Sequence, residues 1–239
     1  SSDDMKEWIE KITDYFKADH RTFAQGVCFY KLVWVFTIGS IFGVYYEQIL
    51  NLMKSLLADG TIFWESRRGV IYGPLSPVYG AGAALIVYLL ARRKRPGWQT
   101  WLYGALLGGA FEYTISFLQE WAIGTTSWDY SQQFLNINGR TTIPIMIAWG
   151  ILAFVLIEYV YPWLSKWIES FPYRFGVLFT RILVVFLVFD MTVSWTALFR
   201  QTLRRQNKDP YTAVGRLYDQ IYTDEFLEKS FPNMEARGR

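Results

Sequence analysis

Apolar runs long enough to cross a bilayer recur five times along this chain, and that recurrence limits its fold more than any single motif does. A helix needs about 20 apolar residues to traverse the hydrocarbon. Runs of that order lie at Leu32–Leu57, Val70–Ala91, Trp98–Ile123, Ile143–Trp163 and Phe175–Leu198, each bounded by charged or aromatic residues. Backbone groups in lipid must find their hydrogen bonds internally, and a helix does this within one segment. The expected fold is therefore all-α, a polytopic transmembrane helical bundle of about five spans. Trp and Tyr gather at several span ends, as an interfacial belt requires. The apolar content of 52% over 239 residues exceeds what one soluble core needs, although a greasy soluble bundle is the alternative. No cleavable signal peptide is expected, because the first run follows a charged segment of about thirty residues.

The organisation follows from this pattern. In residues 1–31, Trp8, Ile9, Ile12, Tyr15, Phe16 and Phe23 recur at helical spacing among Lys6, Glu7, Lys11, Asp14 and Lys17, which reads as an amphipathic surface helix. Residues 32–200 form the transmembrane domain, and 201–239 a polar C-terminal tail. In the tail, Tyr218, Ile221, Tyr222, Phe226 and Leu227 suit a docked amphipathic helix that ends before Pro232. A net charge of +3 gives no reason to expect nucleic acid, and the basic residues sit at span boundaries, where they snorkel. With Cys28 the only cysteine and His20 the only histidine, neither an intramolecular disulfide nor a soft-metal site is expected, and no cofactor is implied.

The chain also repeats itself. The first span carries Gly39, Gly43 and Glu47, and the third carries Gly104, Gly108 and Glu112 at the same four-residue steps. Each glutamate is followed 16 or 17 residues later by a tryptophan-acid pair, Trp64-Glu65 or Trp128-Asp129, and then by arginine and glycine. Residues 32–91 and 98–163 thus read as two parallel two-helix repeats about an axis along the membrane normal, with 175–198 an added span. The alternative is chance matching in a biased composition.

Residues four apart share a helix face, so each glycine pair makes a seam on which a neighbouring backbone can approach, with a glutamate at its end. An ionised carboxylate in hydrocarbon costs at least about 2.5 kcal/mol, so Glu47 and Glu112 must be paired, protonated or wet. Asp190, with Ser194 and Gln201 on its stripe, poses the same question in the fifth span. Such acids are either functional groups or hydrogen-bond glue between helices. Arg67, Arg68 and Arg140, in the loops at the glutamate end, suit a carboxylate or phosphate, on a substrate or on these same acids. Gly73-Pro74-Leu75-Ser76-Pro77-Val78-Tyr79-Gly80 cannot form a regular helix throughout, and irregular backbone at membrane depth belongs against protein or a cavity. That stretch is expected to wall a site, or else simply to start a helix at a proline. No phosphate-binding G-x-x-x-x-G-K-[ST] loop is present, so the chain is not expected to hydrolyse ATP itself.

Several strings in combination resemble a known family. Glu47, RRGVIYGPLSPVYGAGA (Arg67 to Ala83), EYTISFLQE (Glu112 to Glu120), WDYSQQFLNINGR (Trp128 to Arg140), Trp149-Gly150, and Asp190 with Ser194 are similar to the CmpB-like, type IV group of bacterial ABC-transporter permeases. The usual Asn-Arg-Gly ahead of Gly-Pro stands here as Arg67-Arg68-Gly69. The resemblance implies a multi-pass protein of the bacterial inner membrane, in contact with lipid, working with a separate ATPase subunit and as a homodimer. It supplies no substrate.

Three functions stay open on these residues. One is a transport component whose substrate meets Glu47, Arg67, Arg68, Glu112, Tyr113, Glu120, Trp128, Asp129, Tyr130, Asn136, Asn138, Arg140 and Asp190. Another is a membrane-embedded enzyme acting on a lipid or other anionic amphiphile, with Glu112 or Asp129 as general base and the arginines holding the anion. The third is an accessory subunit of a larger membrane complex. Arg92-Arg93-Lys94-Arg95 and the basic N-terminal segment favour a cytoplasmic location for their end of the bundle, while Arg200, Arg204 and Arg205 oppose it.

Overall fold

The computed structural model describes residues 1–236. Helix α1 (Ser2–Lys17) is amphipathic, buries none of its residues, and is tied to the bundle at its C-terminal end. There the Arg174 guanidinium donates to the Tyr15 carbonyl at 3.1 Å, and Phe16 meets Phe175 edge to face.

The bundle proper consists of α2 (Phe29–Asp59), α3 (Pro77–Leu90), α4 (Gly97–Ile123), a long helix formed by α5 (Ile143–Val155) and α6 (Tyr161–Glu169), and α7 (Tyr173–Arg205). Between α5 and α6, Leu156–Val160 is π-helical, and the Tyr161 N–H reaches back five residues to the Leu156 carbonyl. Pro162 explains the bulge, since it lacks an N–H and its ring crowds the preceding turn. The most extensive pairings are α2 with α3 and α4 with α5, and α7 packs across α2 and α4.

Three helices combine the length and apolarity of a membrane span: Phe29–Asp59, Ile143–Glu169 and Tyr173–Arg205. Helix α4 is long enough at 27 residues, but Gln99, Thr100, Glu112, Gln119 and Glu120 dilute its apolarity. Helix α3 is apolar but has only 14 residues, about 21 Å at 1.5 Å per residue. It is shorter than the run Val70–Ala91 because Gly73, at φ +88°, and Pro74 keep the chain irregular until Pro77 opens the helix.

The N-terminal segment and the C-terminal tail pack into separate cores of the bundle. At one end, Phe23, Val35, Val87, Leu164 and Ile168 form a core, with Ala91, Phe171 and Tyr173 packed against it. Lys31 is fully buried there, donating to Ser165 Oγ at 2.5 Å and Glu169 Oε1 at 2.9 Å. At the other end the tail folds into α8 (Ala213–Ile221) and α9 (Asp224–Ser230), burying Tyr222, Leu227 and Phe231 against Ile71, Ala197 and Leu198. Two short antiparallel pairs finish that end. Strand β1 (Thr125–Thr126) pairs with β4 (Glu235–Ala236), and β2 (Asn136–Ile137) with β3 (Thr141–Thr142). The β2–β3 turn places Asn138 and Gly139 at φ +53° and +68°, a left-handed conformation that these two residues tolerate best.

Candidate functional site

The site begins with the glycines. A Cβ on Gly43 would lie 2.2 Å from Tyr79 Cγ, and one on Gly108 would lie 2.2 Å from Trp149 Cγ. One turn earlier, Gly39 faces Ala83 and Gly104 faces Ala153. Each hairpin thus uses glycine to seat an aromatic side chain against its partner helix, and one turn later that helix presents a glutamate. Tyr79 Oη donates to Glu47 at 2.8 Å, and the Trp149 indole hydrogen-bonds Glu112. The two rings stack on each other with centroids 6.3 Å apart, so the hairpins meet through these aromatic side chains.

The two glutamates differ in their remaining partners. Glu47 receives Arg67 Nε at 3.1 Å. Glu112 is buried and receives Thr141 Oγ1 at 3.1 Å and Tyr130 Oη at 3.3 Å. Among the described residues no Lys or Arg forms a salt bridge with Glu112. Tyr130 has its phenol pushed well above the ordinary value by burial, and further by the charges of Glu112 and Glu47, so it stays a neutral donor at physiological pH.

Between the hairpins lies a cavity of about 270 Å³. Of the sequence-predicted residues, Glu47, Arg67, Arg68, Glu112, Trp128 and Tyr130 line it. Ser76, the residue before α3, and Val78 and Tyr79 from its first turn form part of its wall. Its lining also includes Asn51, Lys54, Trp149 and Asn233, which sequence reasoning did not select as site residues. Tyr79 and Trp149 lie in the strings that carry the family resemblance, but only the glycine contacts reveal their role. Asn233 comes from the tail, where nothing in the sequence signals a cavity residue.

The remaining predicted residues brace the site from outside the cavity. Arg140 pairs with Glu120 at 3.1 Å, donates to Ser116 at 3.2 Å and lies over the Phe117 ring at 5.3 Å. Asn138 donates to Tyr113 Oη at 2.8 Å. Asn136 accepts from the Gly139 N–H and donates to the Ser131 and Gln133 carbonyls, while Asp129 accepts from the Ser131 backbone N–H and hydroxyl. These bonds stiffen the 124–142 connection, and the Trp128 indole donates to the Arg140 carbonyl at 2.8 Å.

Asp190 is fully buried on α7 and does not line the cavity. Its Oδ1 accepts from the Tyr72 N–H at 3.0 Å and from Ser194 Oγ, which itself accepts from the Ile71 N–H at 2.8 Å. An irregular segment leaves backbone donors unpaired, and α7 supplies their acceptors. Arg68 extends this anchorage by donating to the Ser230 carbonyl at 3.2 Å. Among the described residues no cluster of three or more His, Cys, Asp or Glu side chains suits a metal ion.

Long apolar helices, two glycine-seamed hairpins and a polar cavity near one end of the bundle define a helical membrane protein. The family described as "Putative ABC-transporter type IV" matches residues 34–195, and the chain belongs to that family. No curated protein and no solved structure matches the chain.

Proposed function

We propose that this protein is the membrane-spanning component of a transporter, a permease whose solute site is the cavity between the α2–α3 and α4–α5 hairpins. The observation that carries this reading is a polar cavity between the hairpins lined by two carboxylates. Buried charge there is costly unless it serves binding or is fully paired. The two hairpins are parallel repeats about an axis along the membrane normal, with α7 as the added span. Their support is the matched approach of Tyr79 to Gly43 and of Trp149 to Gly108, each next to a glutamate. In this reading α3 and α4 complete a five-span bundle in the bacterial inner membrane. The end bearing Arg92-Arg93-Lys94-Arg95 faces the cytoplasm, where a separate ATPase subunit docks on a dimer of this chain.

Site-specific crosslinking from Arg93→Cys in native membranes, followed by identification of the captured chain, tests this. An ATP-hydrolysing subunit is expected, with ATPase activity in reconstituted nanodiscs reduced by Glu112→Gln. Failure of the crosslinks to capture any ATPase, together with unchanged hydrolysis in the variant, sinks the transport reading. A membrane-embedded enzyme is the second reading, favoured by Glu112 itself. It is a buried carboxylate with hydroxyl partners and, among the described residues, no salt-bridged Lys or Arg, placed to accept a proton from a group in the cavity.

A further inference from the structure

The polar cavity has an apolar neighbour. Tyr79, Trp149 and Leu152 also line a second cavity, of about 230 Å³, bounded by α2, α3 and the α5–α6 helix. Among the described residues no charged side chain lines this second space, whose walls include Val35, Ile38, Ala83, Ile86 and Leu164. From Leu152 to Leu164 the helix rises about 18 Å at 1.5 Å per residue, more than half of the ~30 Å hydrocarbon thickness. The groove opens sideways: Phe42, Val155 and Val160 line it yet are 58%, 40% and 41% exposed, on a bundle whose outer surface is apolar. The π-helical stretch contributes Leu156 and Val160 to this wall, and such bulges recur at functional sites. Together the two spaces fall within the ~300–1,000 Å³ of small-molecule sites.

We propose that these two neighbouring cavities together form one site for a single-chain amphiphile, its hydrocarbon tail in the apolar groove and its cationic head in the polar cavity against Glu112. This rests on the reading of the polar cavity as a substrate site and names the substrate class. The tail follows from a groove that offers hydrogen-bonding groups only at its polar junction. The head follows from the charges nearby. Glu47 is offset by Arg67, Arg68 is engaged by the Ser230 carbonyl, and Lys54 is exposed. Among the described residues Glu112 has only neutral donors, and a buried carboxylate in that state is stabilised by a cation. The rings of Tyr79, Tyr130 and Trp149, which line the same cavity, favour an ammonium over an anion.

Calorimetric titration of the full chain in neutral-lipid nanodiscs, against empty nanodiscs, tests this with octylamine, octyl phosphate and ethylamine. Octylamine is expected to bind one saturable site at least 10-fold more tightly than either other probe. Glu112→Gln should lose at least 10-fold for octylamine. Val155→Trp and Val160→Trp, at exposed positions that tolerate bulk, should erase the advantage of octylamine over ethylamine while leaving ethylamine binding unchanged. Octyl phosphate binding more tightly overturns the cationic head. Ethylamine binding as tightly as octylamine overturns the tail groove, while leaving the polar cavity a solute site. Titrations indistinguishable from empty nanodiscs overturn the amphiphile site whatever the ATPase crosslinking shows, and loss of the ATPase partner alone overturns only the transport reading.

Discussion

Replacing Gly108 with alanine adds one methyl group where the structure has no room for it. That Cβ would lie 2.2 Å from Trp149 Cγ, 2.4 Å from its Cβ and 2.6 Å from its Cδ2. None of these atoms is the free end of a flexible chain, because the Trp149 ring is held by its stack on Tyr79 and its bond to Glu112. Helices α4 and α5 must therefore separate, or the indole must leave its rotamer. Overpacking of this kind costs about 1–3 kcal/mol, occasionally more. For a chain of this size each kcal/mol lowers Tm by roughly 2–4 °C, so a fall of roughly 2–12 °C is expected for Gly108→Ala. Thermal unfolding in detergent micelles, followed by intrinsic fluorescence and by loss of the monodisperse gel-filtration peak, measures it. Gly43→Ala should fall by a similar amount, because its Cβ would meet Tyr79 at the same three distances. Trp149→Leu in the Gly108→Ala background should recover part of the loss, giving a coupling energy of at least about 0.5 kcal/mol in a double-mutant cycle. A Gly108→Ala protein within 1 °C of the parent would refute the close approach on which the site is built.

Three further outcomes are expected. Lys31→Met strands Glu169, and breaking a buried pair costs about 3–5 kcal/mol. The partial exposure of Glu169, 26%, puts the Tm loss toward the lower end, and Lys31→Met with Glu169→Gln should recover part of it by the same unfolding assay. Asp190→Ala leaves the Tyr72 N–H without its acceptor and removes a partner of Ser194, at about 1–3 kcal/mol. Limited proteolysis should then cut within residues 60–76 first, whereas Asp190→Asn should keep the segment protected. Burial pushes the Asp219 carboxyl up, but hydrogen bonds and charge from Arg200 and Arg204 outweigh it and hold the group below its ordinary value. A depressed carboxyl stabilises docking of α8 on α7 above its unfolded pKa, and that contribution is lost as pH falls through the folded value. Hydrogen exchange in α8 should therefore be flat from pH 8 to 5, after correction for intrinsic exchange, and accelerate only in acid below about pH 4. Asp219→Asn should show that faster exchange at every pH.

The helical character of this chain, its apolar spans and the glycine seams ending in glutamate were all legible in the residues. Their cause is local, since backbone groups in lipid must be satisfied within a helix and helical periodicity states which residues share a face. Periodicity does not state which neighbour that face meets. Asp190 and Glu112 look alike in sequence, each an acid among apolar residues on a stripe with a serine. Tertiary structure separates them, since Asp190 Oδ1 accepts from the backbone of the 60–76 segment away from the cavity, whereas Glu112 lines it. Tyr79 and Trp149 stand out only once the glycines opposite them are seen to make room, and Lys54 and Asn233 only once α2 and the tail converge on the same space. Arg140, attractive from sequence as an anion clamp, is turned to Glu120 by the rigid 124–142 connection. The sequence by itself determined a helical membrane protein carrying acids in its interior. Which acid meets the backbone of a distant segment and which faces a cavity depends on helix rotation and contacts between distant segments, and only the packed bundle decided it.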